Sequence, residues 1–282
     1  YLSLFCFPIS FLAFINILYA SYFDYFLSID TYFITLASSL LIGSSFFYYG
    51  KKSLKNINFI EQLILIICAY ILTSVLIAIP FYLSNYQVTF INSLFESISG
   101  ITGTGFSIFQ NIKYLDPTLI LWRSSSQWIG GLYFLFFLIL IFSNKQFNFK
   151  MNELTYSGDG SINSATNVKN LIFKIFILYS LLSLIIFILL NLSEVRLFNS
   201  LNLTMTLIST GGFIPTNSLN KIISTNLQNI IFIFSLLLSM LNLFLIFNIF
   251  KTKILFREHK EDFYLIFVSL ILILLVFLNN FS

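Results

Sequence analysis

Phe95-Glu96-Ser97-Ile98-Ser99-Gly100-Ile101-Thr102-Gly103-Thr104-Gly105-Phe106 is the stretch on which the fold turns. It closes an apolar run, Phe90–Gly100, of 11 residues. That is about half of the ~20 residues a helix needs to cross a bilayer, so the run reads as a re-entrant half-helix that enters from one side. A glycine-containing loop follows it directly. Moved forward by 107 positions, Asn92-Ser93-Leu94 falls on Asn199-Ser200-Leu201, Ile101 on Ile208, and Gly105-Phe106 on Gly212-Phe213. A second short apolar stretch, Leu197–Ile208, is thereby aligned with the first. The same shift carries the apolar segment 61–84 onto 168–191 and 118–142 onto 225–249. One constant offset over two long segments and the loop between them predicts a tandem duplication. Its unit reads helix, half-helix, glycine loop, helix.

The surrounding composition identifies the solvent. Of 282 residues, 58% are hydrophobic and 9% charged, with a mean hydropathy of +0.92. A water-soluble domain is about 25% charged, so the chain is predicted to lie in a bilayer as an all-α membrane protein. Seven segments are long and apolar enough to cross it: 2–20, 29–49, 61–84, 118–142, 170–192, 228–250 and 263–280. The first has neither a basic leader nor a small-residue cleavage site, and reads as a spanning helix rather than a signal peptide. Eleven basic residues lie in one alternating set of loops, among them Lys51, Lys52, Lys55, Lys145, Lys150 and Arg257, against Lys113, Arg196 and Lys221 in the other. The positive-inside rule puts the first set in the cytoplasm and the tip near residue 25 outside. Both copies then run from inside to outside and back, so they are parallel repeats related by an axis along the membrane normal, not inverted ones. The division expected is a leading helix pair over 1–55, a first repeat over 56–150, a second over 151–257, and the first helix of an incomplete third over 258–282. The seventh span leaves a repeat unfinished, so the chain is expected to be truncated at both ends, with further half-helix and glycine-loop units downstream, rather than to be a natural half-size protein that pairs with a second half.

The loops carry the chemistry. Irregular backbone at membrane depth persists only where protein buries it or it lines a water-filled cavity. Five of the 11 glycines lie in Gly100–Gly105 and Gly211–Gly212, and glycine permits the backbone angles that turn successive carbonyls toward an axis. Such carbonyls, with threonine hydroxyls, can replace the hydration shell of a cation. A half-helix entering from outside also points its negative C-terminal end at the membrane centre. The candidate ion-binding residues are therefore Thr102, Gly103, Thr104, Gly105, Ser209, Thr210, Gly211 and Gly212. Small-residue strings also mark close helix packing. Two at a constant offset, each after an outer half-helix, favour the ion-binding reading. Glu96 aligns with Leu203 in the second copy, so it reads as a brace for its half-helix rather than a repeated ligand. Arg123, beside Trp122, has two readings: an interfacial cation snorkelling next to a belt aromatic, or an ion pair behind the loop with Glu96 as partner. Gly130-Gly131 is expected to allow close helix contact, with a gating hinge as the second reading, and Pro80 to kink the outer end of its span. The single histidine, His259, and the separated cysteines Cys6 and Cys68 leave no His-ligated metal site, catalytic pair or disulfide framework. With no HExxH string either, enzymatic chemistry is not expected.

Phe95-Glu96-Ser97 through Ser99-Gly100-Ile101-Thr102-Gly103-Thr104-Gly105 resembles the first filter of the Trk/Ktr/HKT superfamily of K⁺ transporters. Leu121-Trp122-Arg123-Ser124 and Gln127-Trp128-Ile129-Gly130-Gly131 resemble the LWRSxxQWIGG stretch of its TrkH-type membrane subunits, and Ser209-Thr210-Gly211-Gly212-Phe213 their second filter. The match runs from about residue 60 to 260, and the two leading spans match the extra helix pair of such subunits. The resemblance implies K⁺ uptake at the bacterial plasma membrane through a pore with one key filter glycine per repeat, by position Gly105 and Gly212. It also implies a homodimer in membrane lipid, gated by a cytosolic ring of nucleotide-binding regulatory subunits of the TrkA/KtrA kind. K⁺ would be the transported ion; no covalently bound cofactor and no nucleic-acid partner are implied. Gly103 departs from the family, which usually has threonine there, and is expected to loosen the loop. The competing class is a secondary active transporter or permease for another cation or small solute. It predicts unwound spanning helices and paired intramembrane charges instead of re-entrant hairpins at a parallel offset.

Overall fold

A computed structural model describes residues 1–25, 29–51, 58–142, 165–240, 264 and 267–271. Among these residues every regular element is a helix. Helices α1 (Ser3–Tyr22) and α2 (Ile29–Gly50) form a leading pair, followed by α3 (Phe59–Tyr82), the short α4 (Phe90–Ile101) and α5 (Pro117–Phe142). Helices α6 (Ala165–Leu192), the short α7 (Leu197–Ile208) and α8 (Asn226–Met240) repeat that order. Five of them, α1, α2, α3, α5 and α6, are long and apolar enough to cross a membrane. Their outward faces carry large apolar side chains such as Phe11, Leu41, Ile64, Phe134 and Leu184, all exposed. Water would reject such a surface, whereas hydrocarbon accepts it. The chain is a multi-pass membrane protein. The expected span 228–250 is described as far as Met240, and most of 263–280 lies outside the described residues.

The offset of 107 recurs in the backbone. Both bounds of α7 are those of α4 displaced by that number, and the 3₁₀ turn Ile112–Tyr114 has its counterpart in Leu219–Lys221. Seven described residues have positive φ, and six of them pair at the same spacing. Gln87 (51°) matches Glu194 (67°), Gly103 (67°) matches Thr210 (53°), and Gly105 (80°) matches Gly212 (88°). Non-glycine residues seldom adopt this left-handed region, so the agreement reports a common backbone path rather than similar composition.

Local sequence explains the element ends. The Glu61 carboxylate accepts the Asn58 N–H at 2.9 Å and starts α3, an arrangement that satisfies one of the donors a helix start leaves open. Thr89 caps α4 through its hydroxyl. Pro117 occupies the first turn of α5, where its missing N–H costs nothing. At the start of α8, Gln228 accepts the Ser224 N–H at 2.9 Å and donates to the Ser193 carbonyl at 2.9 Å, fastening α8 to the end of α6.

Helix α5 is the hub of the packing. Its Tyr133 hydroxyl donates to the Phe5 carbonyl of α1 at 2.6 Å, and its Trp122 indole donates to Ile77 of α3 at 3.0 Å. From α6, Tyr179 donates to the Trp128 carbonyl at 2.9 Å, while the Trp128 indole donates to Ser183 at 3.0 Å. Trp122 is 1% exposed. The interfacial-belt expectation for this residue is thus corrected: the ring is core, and its N–H reaches the Ile77 carbonyl in the turn before Pro80. Gly130 and Gly131 admit the ends of both half-helices. A Cβ on Gly130 would stand 2.7 Å from the Ile101 carbonyl carbon, and one on Gly131 would stand 3.0 Å from Ser209 Cβ.

Gly130→Ala is therefore expected to push α4 away from α5 at a cost of about 1–3 kcal/mol, the range for overpacking. Thermal unfolding of the purified protein in detergent would show a lowered midpoint. Gly50→Ala is the control, because a Cβ there meets nothing within 4 Å, and its midpoint should stay within error of the parent.

Candidate functional site

The two half-helices end side by side against α5, and the glycine loops that follow them are in contact. A Cβ on Gly105 would collide with the Gly211 carbonyl oxygen, and one on Gly103 would lie 3.4 Å from the Ser209 carbonyl oxygen. All eight candidate ion-binding residues, Thr102–Gly105 and Ser209–Gly212, thus gather in one place at the C-terminal ends of α4 and α7. Thr102, Thr104, Thr210 and Gly212 are exposed, while Gly211 is buried against α5.

Hydrogen bonds at the loop roots orient the carbonyls. The Gly103 N–H returns to the Gly100 carbonyl at 3.1 Å and the Thr104 N–H to Ser99 at 3.0 Å. In the second copy the Thr210 N–H returns to Leu207 at 2.9 Å and the Gly211 N–H to Thr206 at 2.8 Å. These are again pairs at 107. Every peptide bond here is trans, so each C=O opposes the N–H of the next residue. With the N–H groups turned back to the half-helices, the carbonyls of Thr102, Gly103, Ser209 and Thr210 point away from them. The hydroxyls are committed in the same sense. Thr102 donates to the Ile98 carbonyl at 2.7 Å and lies 2.7 Å from the Thr104 hydroxyl, which must then be the donor to it. Thr210 donates to the Ser209 carbonyl at 2.7 Å. A hydroxyl whose proton is committed presents lone pairs alone. The loop surface is accordingly rich in oxygen acceptors next to two negative helix ends, an arrangement suited to a cation.

Gly103 stands where the resembled family usually has threonine. The backbone there is left-handed, and its counterpart Thr210 adopts the same region despite its Cβ. Glycine at 103 removes strain that threonine would carry.

Behind the loops lies a buried polar cluster. The Arg123 Nε donates to Glu96 Oε1 at 2.8 Å, with side-chain exposures of 1% and 0%. Of the two readings of Arg123, the structure shows the ion pair. Glu96 also accepts the Ser107 hydroxyl at 3.0 Å and the Ile108 N–H at 2.9 Å, and Arg123 Nη2 donates to Ser107 at 2.9 Å. The carboxylate therefore clamps the chain just after the first loop. The same guanidinium stands 4.3 Å over the Phe213 ring, at the end of the second loop. One turn along α5, Gln127 Oε1 accepts the Phe213 N–H at 3.0 Å. Ser107 has no place among the candidates of the sequence, and Gln127 and Phe213 stand there only as parts of longer motifs. A signal for Gln127 was present: it lies four residues from Arg123, on the same face of an otherwise apolar helix.

Comparison with known proteins follows from this geometry. No sequence-family profile matches the chain. It is 31% identical over 192 residues to an uncharacterized cation transporter of Methanocaldococcus jannaschii, spanning 65% of this chain and 39% of that protein. It is 36% identical over 106 residues to the Trk system potassium uptake protein TrkG of Escherichia coli, spanning 37% of this chain and 22% of that protein. Over part of its length the chain is similar in sequence to Trk-system potassium uptake proteins. Its fold is theirs as well: the crystal structure of the potassium transporter TrkH from Vibrio parahaemolyticus superposes with a TM-score of 0.76 at 19% identity, over 98% of this chain and 58% of that one. The chain thus spans well under two thirds of the length of each of these proteins.

Arg123→Leu would strand the Glu96 carboxylate in a buried site, which costs about 3–5 kcal/mol. The expected outcome is a sharp loss of folded protein recovered from membranes, seen by fluorescence-detected size exclusion. Combining Arg123→Gln with Glu96→Gln replaces the charges by carboxamides that retain hydrogen bonding. This pair should recover more protein than either single change, giving a positive coupling in the double-mutant cycle.

Proposed function

We propose that this chain supplies part of the K⁺ pathway of a Trk-type uptake system in the plasma membrane, with Thr102–Gly105 and Ser209–Gly212 as two sectors of its filter. The leading pair occupies 1–55, the pore-loop repeats occupy 56–150 and 151–257, and 258–282 opens a third. One observation carries the reading: two acceptor-rich loops meet at the ends of two outer half-helices with matched left-handed residues, Gly103 with Thr210 and Gly105 with Gly212. Loops of this kind replace the water around a dehydrated cation. The potassium named for TrkG and for the Vibrio TrkH structure supplies the choice of ion. In this proposal Gly105 and Gly212 are the key glycines of their repeats, and Glu96 and Arg123 hold the first sector from behind. The complete protein works as a homodimer gated by cytosolic nucleotide-binding subunits, with K⁺ as cargo and no bound cofactor.

The decisive test is cation uptake by the complete protein in a strain lacking its own K⁺ uptake systems. Gly105→Ser adds a side chain where φ is +80° and the Gly211 carbonyl oxygen already fills the space. The expected outcome is a fall in Rb⁺ uptake relative to Na⁺ of at least about tenfold, equivalent to ~1.4 kcal/mol of discrimination. Uptake of both ions unchanged from the parent would remove Gly105 from the filter.

A further inference from the structure

The polar bracing behind the two loops is one-sided. Displaced by 107, Glu96 meets Leu203, Ser107 meets Ile214, Arg123 meets Ile230 and Gln127 meets Phe234. Ile230 and Phe234 face outward on α8. The second repeat therefore has no such groups of its own at these positions, and its loop is held by a side chain of the first repeat. That side chain is Gln127.

We propose that Gln127 is the positioning residue of the second loop, fixing the Gly212–Phe213 peptide plane and thereby the cation selectivity of that sector. The proposal rests on the filter reading given above. Gly211 and Gly212 are consecutive glycines, and Gly212 sits at φ +88°. Glycine crosses between backbone regions at little steric cost, so this plane needs an external hold to keep one orientation. Gln127 Oε1 accepts the Phe213 N–H at 3.0 Å from the α5 side. Because the peptide is trans, the Gly212 carbonyl must point the opposite way, away from α5 and toward the exposed face of the loop. Release of the N–H would free the plane to turn and withdraw that oxygen.

Three further observations fit a positioning role. The carboxamide lies flush against Gly211, where a Cβ would stand 2.7 Å from Gln127 Nε2. Phe213 is buried, with Arg123 4.3 Å over one side of its ring, so the far end of the loop is anchored while the plane before it depends on one bond. Gln127 Nε2 is buried without a partner. The acceptor end alone holds the loop, and a donor at this position is dispensable.

The test uses the complete protein in the uptake-deficient strain, with Rb⁺ and Na⁺ uptake measured over a concentration series for the parent, Gln127→Leu, Gln127→Glu and Gln127→Asn. Leucine removes the acceptor, and asparagine withdraws it by one methylene. Both are expected to lower the Rb⁺ to Na⁺ ratio by about tenfold, through the apparent KM for Rb⁺ more than through maximal rate. That fold-change converts to ~1.4 kcal/mol, the scale of one hydrogen bond. Glutamate keeps an acceptor oxygen at the same reach, so it is expected to restore the ratio to within about threefold of the parent, a margin of ~0.7 kcal/mol. If Gln127→Leu fails to accumulate, Glu against Asn carries the same comparison. An unchanged ratio with uniformly lower uptake, or Glu behaving as Asn does, overturns the proposal. A parent protein with no preference for Rb⁺ over Na⁺ overturns instead the filter reading beneath it, and is seen before any variant is compared.

Discussion

Backbone that leaves the helix inside a hydrocarbon layer has no water to satisfy its N–H groups, and everything distinctive in this chain follows from meeting that constraint twice. The half-helices α4 and α7 take back the first N–H groups of their own loops. Farther along, one N–H is met by a carboxylate of α4 that α5 holds in place, and another by a carboxamide of α5 itself. Glu96, held by Arg123, takes the Ile108 N–H, and Gln127 takes the Phe213 N–H. Helix α5 thus serves both loops, the first through Arg123 and the second directly through Gln127.

That task explains why α5 combines features that conflict in an ordinary spanning helix. It carries a buried cation and a buried carboxamide, yet also Gly130 and Gly131, where helix propensity is poor. The glycines bring the half-helix ends close enough for the polar groups to reach the loops. Its serines at 124, 125 and 126 return their hydroxyls to carbonyls of the same helix. The charge of Arg123 is neutralised within the protein by a carboxylate 2.8 Å away. A lone guanidinium at that depth would be several kcal/mol worse.

Duplication and asymmetry then coexist for a physical reason. Backbone geometry repeats at 107 residues because the same turn is needed at both loops, down to the left-handed pairs Gly103 with Thr210 and Gly105 with Gly212. Side chains behind the loops do not repeat, because α5 faces both loops and a single set of polar groups serves. Leu203 and Ile214 can be apolar where Glu96 and Ser107 are polar, since the second loop draws its hydrogen bond from across the repeat boundary.

The sequence by itself determined what depends on solvent and on local chain geometry. Apolar segments of about 20 residues against 11 or 12 separated spanning helices from half-helices, and the constant offset placed the second copy, α7, at the bounds its pattern indicated. That the eight residues leave the helix was legible because two glycine-containing strings recur at one offset, each directly after a half-helix. Pairing across the fold was not legible. Nothing local distinguished Arg123 at an interface from Arg123 on Glu96, placed Trp122 in the core, or tied Gln127 to Phe213, 86 residues away. Those outcomes depend on how closely α4, α5 and α7 approach one another, a distance set by Gly130 and Gly131 at contacts that exist only once the helices have packed.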